Sequence, residues 1–261
     1  MLKWNYTYIS SITNDEFTRY YLLMNNEKQK KVAAYKNIND RKRTIAGEIL
    51  ARKMISSFCN VFPEDVFFEL GLHGKPYVKN LDVEFNISHS DEMVVCAISD
   101  NSVGIDIEKV RPISVNILRR VCTDVDLEYI FGDTVTINNI PNNFNDKQLC
   151  RFYEVWTAKE AYFKYIGTGI KNLKSISMNE LFEKRQSDLN SIEDLHSKLS
   201  SLFYAYRVTR YRMIQYYAHF IDVEFLQDSM KKVEIVYKLF NCLKNSANMK
   251  SKCLTVIRRK E

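Results

Sequence analysis

The sequence predicts a mixed α/β fold of the α+β kind, with two similar halves, each a small antiparallel sheet packed on a long helix. Three observations predict it. The order helix, strand, hairpin occurs twice along the chain, with a boundary near residues 104–112. Two stretches carry strong helical patterns, one opening near Arg43 and one running from Arg151 to Ile166. The composition is that of a globular protein: 261 residues, 46% hydrophobic and 27% charged, with 16 Tyr and 15 Phe. That aromatic load argues against a disordered chain, and the length is enough for one sizeable core or two smaller packed halves.

Taken in order, the first feature is the basic block Glu27-Lys28-Gln29-Lys30-Lys31, followed by Arg41-Lys42-Arg43. From there Ile45, Ile49, Leu50, Met54 and Phe58 recur at helical spacing. The helix so predicted carries positive charge at its start, where its own dipole disfavours it. Gly74-Lys75-Pro76 is a turn, and Val83–Ile87 reads as a strand. Met93–Ile98 is a nearly continuous apolar run, as in a buried strand. Asp100-Asn101-Ser102 leads into a third strand, Val103–Ile107, and so short a connection reads as a hairpin. Residues 114–130 read as helical, 131–147 as an Asn- and Asp-rich loop, and 151–166 as a helix stopped by Gly167. Tyr204–Val208 and Met213–Phe220 read as another strand pair, and 226–261 as an amphipathic helix with a basic tail. The expected division is 1–108, 109–225 and a C-terminal extension, 226–261.

No apolar run reaches the length of a bilayer span, and MLKWNYTYIS has no signal-peptide core, so a cytoplasmic protein without membrane contact is expected. Cys59, Cys96, Cys122, Cys150, Cys242 and Cys253 form no CxxC and no Cys–His pair at zinc spacing. They read as reduced thiols. The net charge of +6 suits an anionic partner, whether nucleic acid, anionic cofactor or acidic protein. Basic residues interleaved with stacking aromatics, or a recognised nucleic-acid-binding fold, are not found, so nucleic acid is not expected as a partner.

Three pieces carry chemistry. In Gly104-Ile105-Asp106-Ile107-Glu108 the alternation turns Ile105 and Ile107 to the core and Asp106 and Glu108 together to the other side, about 7 Å apart. Two such carboxylates suit a hard cation that also holds substrate phosphates. The pentapeptide alone suits an ordinary strand with a wet acidic face equally well. On the second helical pattern Glu160 and Lys164 stand four apart and share a face, which reads either as a surface ion pair or as a third carboxylate with a lysine for phosphate. In Phe85-Asn86-Ile87-Ser88-His89-Ser90 a strand runs into two hydroxyls flanking an imidazole. No orienting acid or oxyanion-hole glycine marks a serine hydrolase, so Ser88 and His89 read as phosphate ligands or as structural residues.

The combination resembles the surfactin-synthetase-activating type of 4'-phosphopantetheinyl transferase. The resemblance rests on E-K-Q-K-K (27–31), R-T-I-A-G-E-I-L-A-R (43–52), G-K-P (74–76), F-N-I-S-H-S (85–90), V-G-I-D-I-E-K-V-R-P-I-S (103–114) and F-Y-E-V-W-T-A-K-E-A-Y-F-K-Y-I-G-T-G (152–169). It implies transfer of the 4'-phosphopantetheine group from coenzyme A to a serine of an apo carrier protein, with release of adenosine 3',5'-bisphosphate. The carrier would be an acidic domain of the peptide synthetase, polyketide or fatty-acid type. By resemblance, Asp106, Glu108 and Glu160 hold Mg²⁺, and Lys28, Lys31, Arg43 and His89 hold the 3'-phosphate of coenzyme A. Lys75 and Ser88 match the nucleotide and diphosphate pocket, and Lys159 and Lys164 match lysines beside the metal and diphosphate. Glu160 and Lys164 carry the catalytic roles, with the serine proton going to Glu160 or to a water on the metal. By the same resemblance Asp126 stands in for a glutamate of the family pattern, without an assigned role. The mid-chain position of the G-I-D motif favours a pseudo-dimeric monomer over the shorter trimeric synthases. The intact acidic trio argues against a metal-free relative that only docks carrier proteins.

Overall fold

The computed structural model describes residues 2–132, 134–170, 172–177, 180, 216–223, 232–236 and 252–260. The first half is a three-stranded antiparallel sheet in the order β1-β5-β4, formed by β1 (Leu2–Tyr8), β4 (Glu84–Ser90) and β5 (Met93–Ser99). Every residue of β5 is buried, which explains its unbroken apolar run. Helix α3 (Ile38–Cys59) lies on this sheet. A Cβ on its Gly47 would stand 3.2 Å from Ile87 Cγ2, so small residues bring helix and sheet close. Helices α1 (Asn14–Leu22) and α2 (Asn26–Ala34) pack on α3, while β2 (Phe68–Leu70) and β3 (Pro76–Val78) form a separate small ladder. Helix α3 starts ahead of its basic cluster: Asn37 caps the Asn39 N–H, Asp40 sits in the first turn, and Arg43 pairs with Asp40. The conflict between positive charge and helix dipole is thereby relieved.

The second half is a four-stranded sheet in the order β6-β9-β7-β8, formed by β6 (Val103–Lys109), β7 (Tyr216–Val223), β8 (Lys232–Val236) and β9 (Lys252–Lys260). Strands β6 and β9 are antiparallel, with Asp106 opposite Thr255, while β7 and β9 run parallel. The helix expected over 226–261 is corrected: its described stretches are strands, and Lys-Val-Glu-Ile-Val and Cys-Leu-Thr-Val-Ile are rich in β-branched residues. Strand β7 falls on the predicted 213–220 segment, while Tyr204–Val208 lies outside the described residues.

The predicted 114–130 helix is two, α4 (Val115–Val121) and α5 (Asp124–Phe131), because Thr123 opens a new helix in a reciprocal capping box with Asp126. Helix α6 (Asp146–Ile166) begins earlier than expected, at a box between Asn145 and Gln148, and ends as expected at Gly167 in the left-handed conformation, φ 72°. Leu118, Leu127, Phe152, Tyr153 and Val155 form the core beneath α4, α5 and α6. No described helix is long and apolar enough to cross a membrane.

The expected hairpin of β5 and β6 is also corrected. Strand β5 pairs with β1 and β4, while β6 pairs with β9, so the turn at residues 100–102 crosses between sheets. The tight hairpin is β4–β5, turning at Asp91-Glu92 with Asp91 at φ 56°, the sign a two-residue loop demands. The halves meet where β6 lies along β4. The Asn86 Oδ1, Ser88 Oγ and Ser90 Oγ atoms accept hydrogen bonds from the backbone N–H groups of Ile105, Ile107 and Lys109, at 3.0, 3.4 and 3.0 Å. Alternate residues share one strand face, so three side chains form a ladder that sets the register of the two sheets.

Candidate active site

That register delivers the acidic strand to α6. Lys164 Nζ lies 2.5 Å from Asp106 Oδ1, 2.9 Å from Ser88 Oγ and 3.9 Å from Glu160 Oε2. Four residues singled out from sequence thus meet, drawn from β4, β6 and α6. Asp106 is 1% exposed, and Ser88 donates to its Oδ1 at 2.7 Å. Its Oδ2 is buried without a hydrogen-bond partner, a costly state for a carboxylate oxygen.

Glu108 and Glu160 complete the acidic group. Ser90 Oγ donates to Glu108 Oε2 at 3.0 Å, and Trp156 Nε1 donates to Glu160 Oε1 at 2.5 Å. Burial, and then the neighbouring Asp106 charge, push the Glu108 carboxyl above its ordinary range. The same two causes, in the same order, push Glu160 up to about 7 against the pull of Lys164 and Trp156. Lys164 stands between two of these three carboxylates, Asp106 and Glu160. Carboxylate oxygens are the donors a hard cation takes, and the orphaned Asp106 Oδ2 offers one ligand atom. Among the described residues, no three His, Cys, Asp or Glu side chains are gathered closely enough to hold a metal ion by themselves; Lys164 supplies the cation shared by Asp106 and Glu160.

A second cluster lies at the β4–β5 turn. Arg43 donates to the Asp91 carbonyl at 2.8 Å and pairs with Asp40, and Lys109 Nζ lies 2.6 Å from Asp91 Oδ2. His89 is exposed beside this cluster. The protein packed about it, then the positive charges of Arg43 and Lys164, pull its imidazole below the ordinary value. Arg43 and Lys164 thus both act on His89. At the other end of β6, Lys75 Nζ lies 3.3 Å from the Val103 carbonyl oxygen, which accepts from it, and 4.0 Å from Glu84 Oε2. Burial lowers its pKa.

Lys31 is exposed on α2. Lys28 does not join Arg43: its Nζ lies 2.5 Å from Glu48 Oε2, a 1% exposed carboxylate that also accepts from Arg52 Nε at 2.6 Å. Five residues on a helix turn about 140°, so Glu48 and Arg43 occupy different faces of α3. Lys159 also finds its partners elsewhere. It is 0% exposed, with Nζ 2.5 Å from Asp126 Oδ2 and 2.8 Å from the Val121 carbonyl oxygen. Glu160 and Lys164 share one face of α6 with Trp156, whereas Lys159 turns inward to brace α5. Reasoning from sequence missed this role of Asp126, and missed Asn86 and Ser90. The signal was the alternation Asn86, Ser88, Ser90, three hydrogen-bonding side chains on one face of a strand.

Known proteins share this arrangement's sequence. The pattern of the 4'-phosphopantetheinyl transferase superfamily matches residues 102–215, and that of the N-terminal region of a 4'-phosphopantetheinyl transferase matches residues 11–101. The chain is 40% identical over 144 residues to 4'-phosphopantetheinyl transferase gsp of Aneurinibacillus migulanus, covering 55% of this chain and 56% of that one. It is 32% identical over 160 residues to 4'-phosphopantetheinyl transferase Sfp of Bacillus subtilis, covering 61% and 67%. With 4'-phosphopantetheinyl transferase HetI of Nostoc sp. it shares 30% over 149 residues, covering 53% and 57%. The matches thus span between 56% and 67% of these relatives' lengths.

Proposed function

Because the chain belongs to the 4'-phosphopantetheinyl transferase family, we propose that it moves the 4'-phosphopantetheine group of coenzyme A onto a serine of an apo carrier protein, releasing adenosine 3',5'-bisphosphate. The observation that carries this reading is the meeting of Ser88, Asp106, Glu160 and Lys164 across the two halves, with one buried Asp106 oxygen unpartnered. In this reading Asp106, Glu108 and Glu160 hold Mg²⁺. When bound, Mg²⁺ neutralises the diphosphate and the charge that develops on its leaving oxygen.

The chain's own residues do the rest. Arg43 and His89, with Lys31, hold the 3'-phosphate; a half-buried guanidinium tied down by Asp40 and the Asp91 carbonyl points its remaining donors in a fixed direction. Lys28 would reach that phosphate only by leaving Glu48. Lys75 serves the nucleotide and diphosphate end. Lys164, whose ammonium already sits among acidic oxygens, meets the diphosphate and stabilises the departing oxygen. Glu160, a carboxylate beside the reacting atoms, takes the carrier serine proton. Attack by the serine oxygen on the β-phosphorus then expels the nucleotide without a covalent enzyme intermediate. The net charge of +6 suits an acidic carrier domain, met by a single copy of the chain in the cytoplasm.

The test is mass spectrometry of apo carrier proteins incubated with the chain, Mg²⁺ and coenzyme A. A gain of the phosphopantetheine mass on a serine is expected. Asp106→Asn should lower turnover about a hundredfold or more while coenzyme A binding persists. Near-normal turnover in that variant would reject the role given to Asp106.

A further inference from the structure

We propose that Ser90 is a positioning residue for Glu108, one rung of the β4 ladder that both registers β6 and aims its carboxylates. The inference rests on the reading of Asp106, Glu108 and Glu160 as a cation site. Ser90 Oγ accepts from the Lys109 N–H at 3.0 Å and donates to Glu108 Oε2 at 3.0 Å. Two residues earlier the same pair of bonds recurs: Ser88 Oγ accepts from the Ile107 N–H at 3.4 Å and donates to Asp106 Oδ1 at 2.7 Å. Each serine therefore ties a main-chain position on β6 to the direction of the carboxylate just before it. Asn86 continues the ladder by accepting from the Ile105 N–H at 3.0 Å.

The physical effect is preorganisation. A glutamate side chain loses rotamer freedom when fixed, and a carboxylate already held by a hydroxyl has less left to lose on binding a cation. Hydrogen bonds behind ligand side chains act on metal affinity in this way. Ser88 also receives Lys164 at 2.9 Å, so its removal would disturb several groups together. Ser90 is half-buried, and water can reach the Lys109 N–H once the hydroxyl is gone. It is the rung at which aiming separates from folding.

The experiment titrates Mn²⁺ into the full chain with coenzyme A present and reads free Mn²⁺ by electron paramagnetic resonance. Ser90→Ala should weaken Mn²⁺ about tenfold, with little change in Tm and with metal-free coenzyme A binding intact. Ser90→Thr, which keeps the hydroxyl, should restore affinity. In turnover, kcat of Ser90→Ala should fall while KM for coenzyme A holds. Should Ser90→Ala lower the folded fraction, Ser90→Cys, close in size but a weak donor, takes its place in the comparison. Equal Mn²⁺ affinity for wild type and the hydroxyl-free variant, where Asp106→Asn has lost it, overturns the role of Ser90 alone. Equal affinity for wild type and Asp106→Asn overturns the cation site, and the proposal with it.

Discussion

Gly104 of β6 lies directly against the backbone of Ala161 on α6: a Cβ built on Gly104 would stand 2.0 Å from the Ala161 carbonyl oxygen, and 2.6 Å from the Tyr165 backbone nitrogen. Both obstacles are main chain, which shifts only if the helix moves. This contact sets how closely α6 approaches β6, and hence how Lys164 and Glu160 meet Asp106. Gly104→Ala should therefore cost about 3 kcal/mol or more, seen as a lower urea midpoint or as failure to fold. An unchanged midpoint would show that α6 is free to retreat.

Arg43 bears on ligand choice. Removing a charge-assisted contact to phosphate costs about 1.5–3 kcal/mol, or roughly 10- to 100-fold in affinity. Arg43→Ala should lose that much for coenzyme A and far less for dephospho-coenzyme A, which lacks the 3'-phosphate. Calorimetry with both ligands decides; equal losses would refute a 3'-phosphate role.

Lys159 bears on the fold. Removing one partner of a buried ion pair strands the other, at a cost of about 3–5 kcal/mol. Lys159→Met should destabilise by that amount, because Asp126 loses its ammonium while still capping Thr123. Coenzyme A affinity per folded molecule should stay at the wild-type value. A stable variant with weakened coenzyme A binding would return Lys159 to the ligand.

Glu154 gives a pH signature. It is 5% exposed and accepts from the Tyr129 hydroxyl at 2.6 Å; burial pushes its carboxyl to about 7, against Tyr129 and the nearby Arg151. A carboxyl raised in the folded state leaves stability whole below its unfolded pKa of about 4.3. Stability is then lost as pH climbs through about 7. Glu154→Gln should match wild type near pH 4 and exceed it at pH 8 by about 1–3 kcal/mol, read from urea midpoints. Parallel pH profiles for the two proteins would contradict the raised carboxyl.

Local periodicity made much of the site legible in the sequence. The alternation in Gly104-Ile105-Asp106-Ile107-Glu108 put both carboxylates on one side of a strand, and four-residue spacing put Glu160 and Lys164 on one helix face, because those repeats follow from backbone geometry alone. Helix stops at Gly167 were equally local. Long-range packing decided the rest. A short turn after β5 suits a hairpin or a crossing between sheets, and only the pairing of β6 with β9 selects the crossing. Lys159 and Lys164 look alike beside Glu160 in sequence, yet the seating of α6 on α5 buries the first against Asp126 and leaves the second to Asp106. Lys28 finds Glu48, and Ser90 finds Glu108, across distances in chain that no local repeat encodes. Side chains on separate elements acquire partners only when those elements pack, and the meeting of Asp106 with Lys164 is decided at that step.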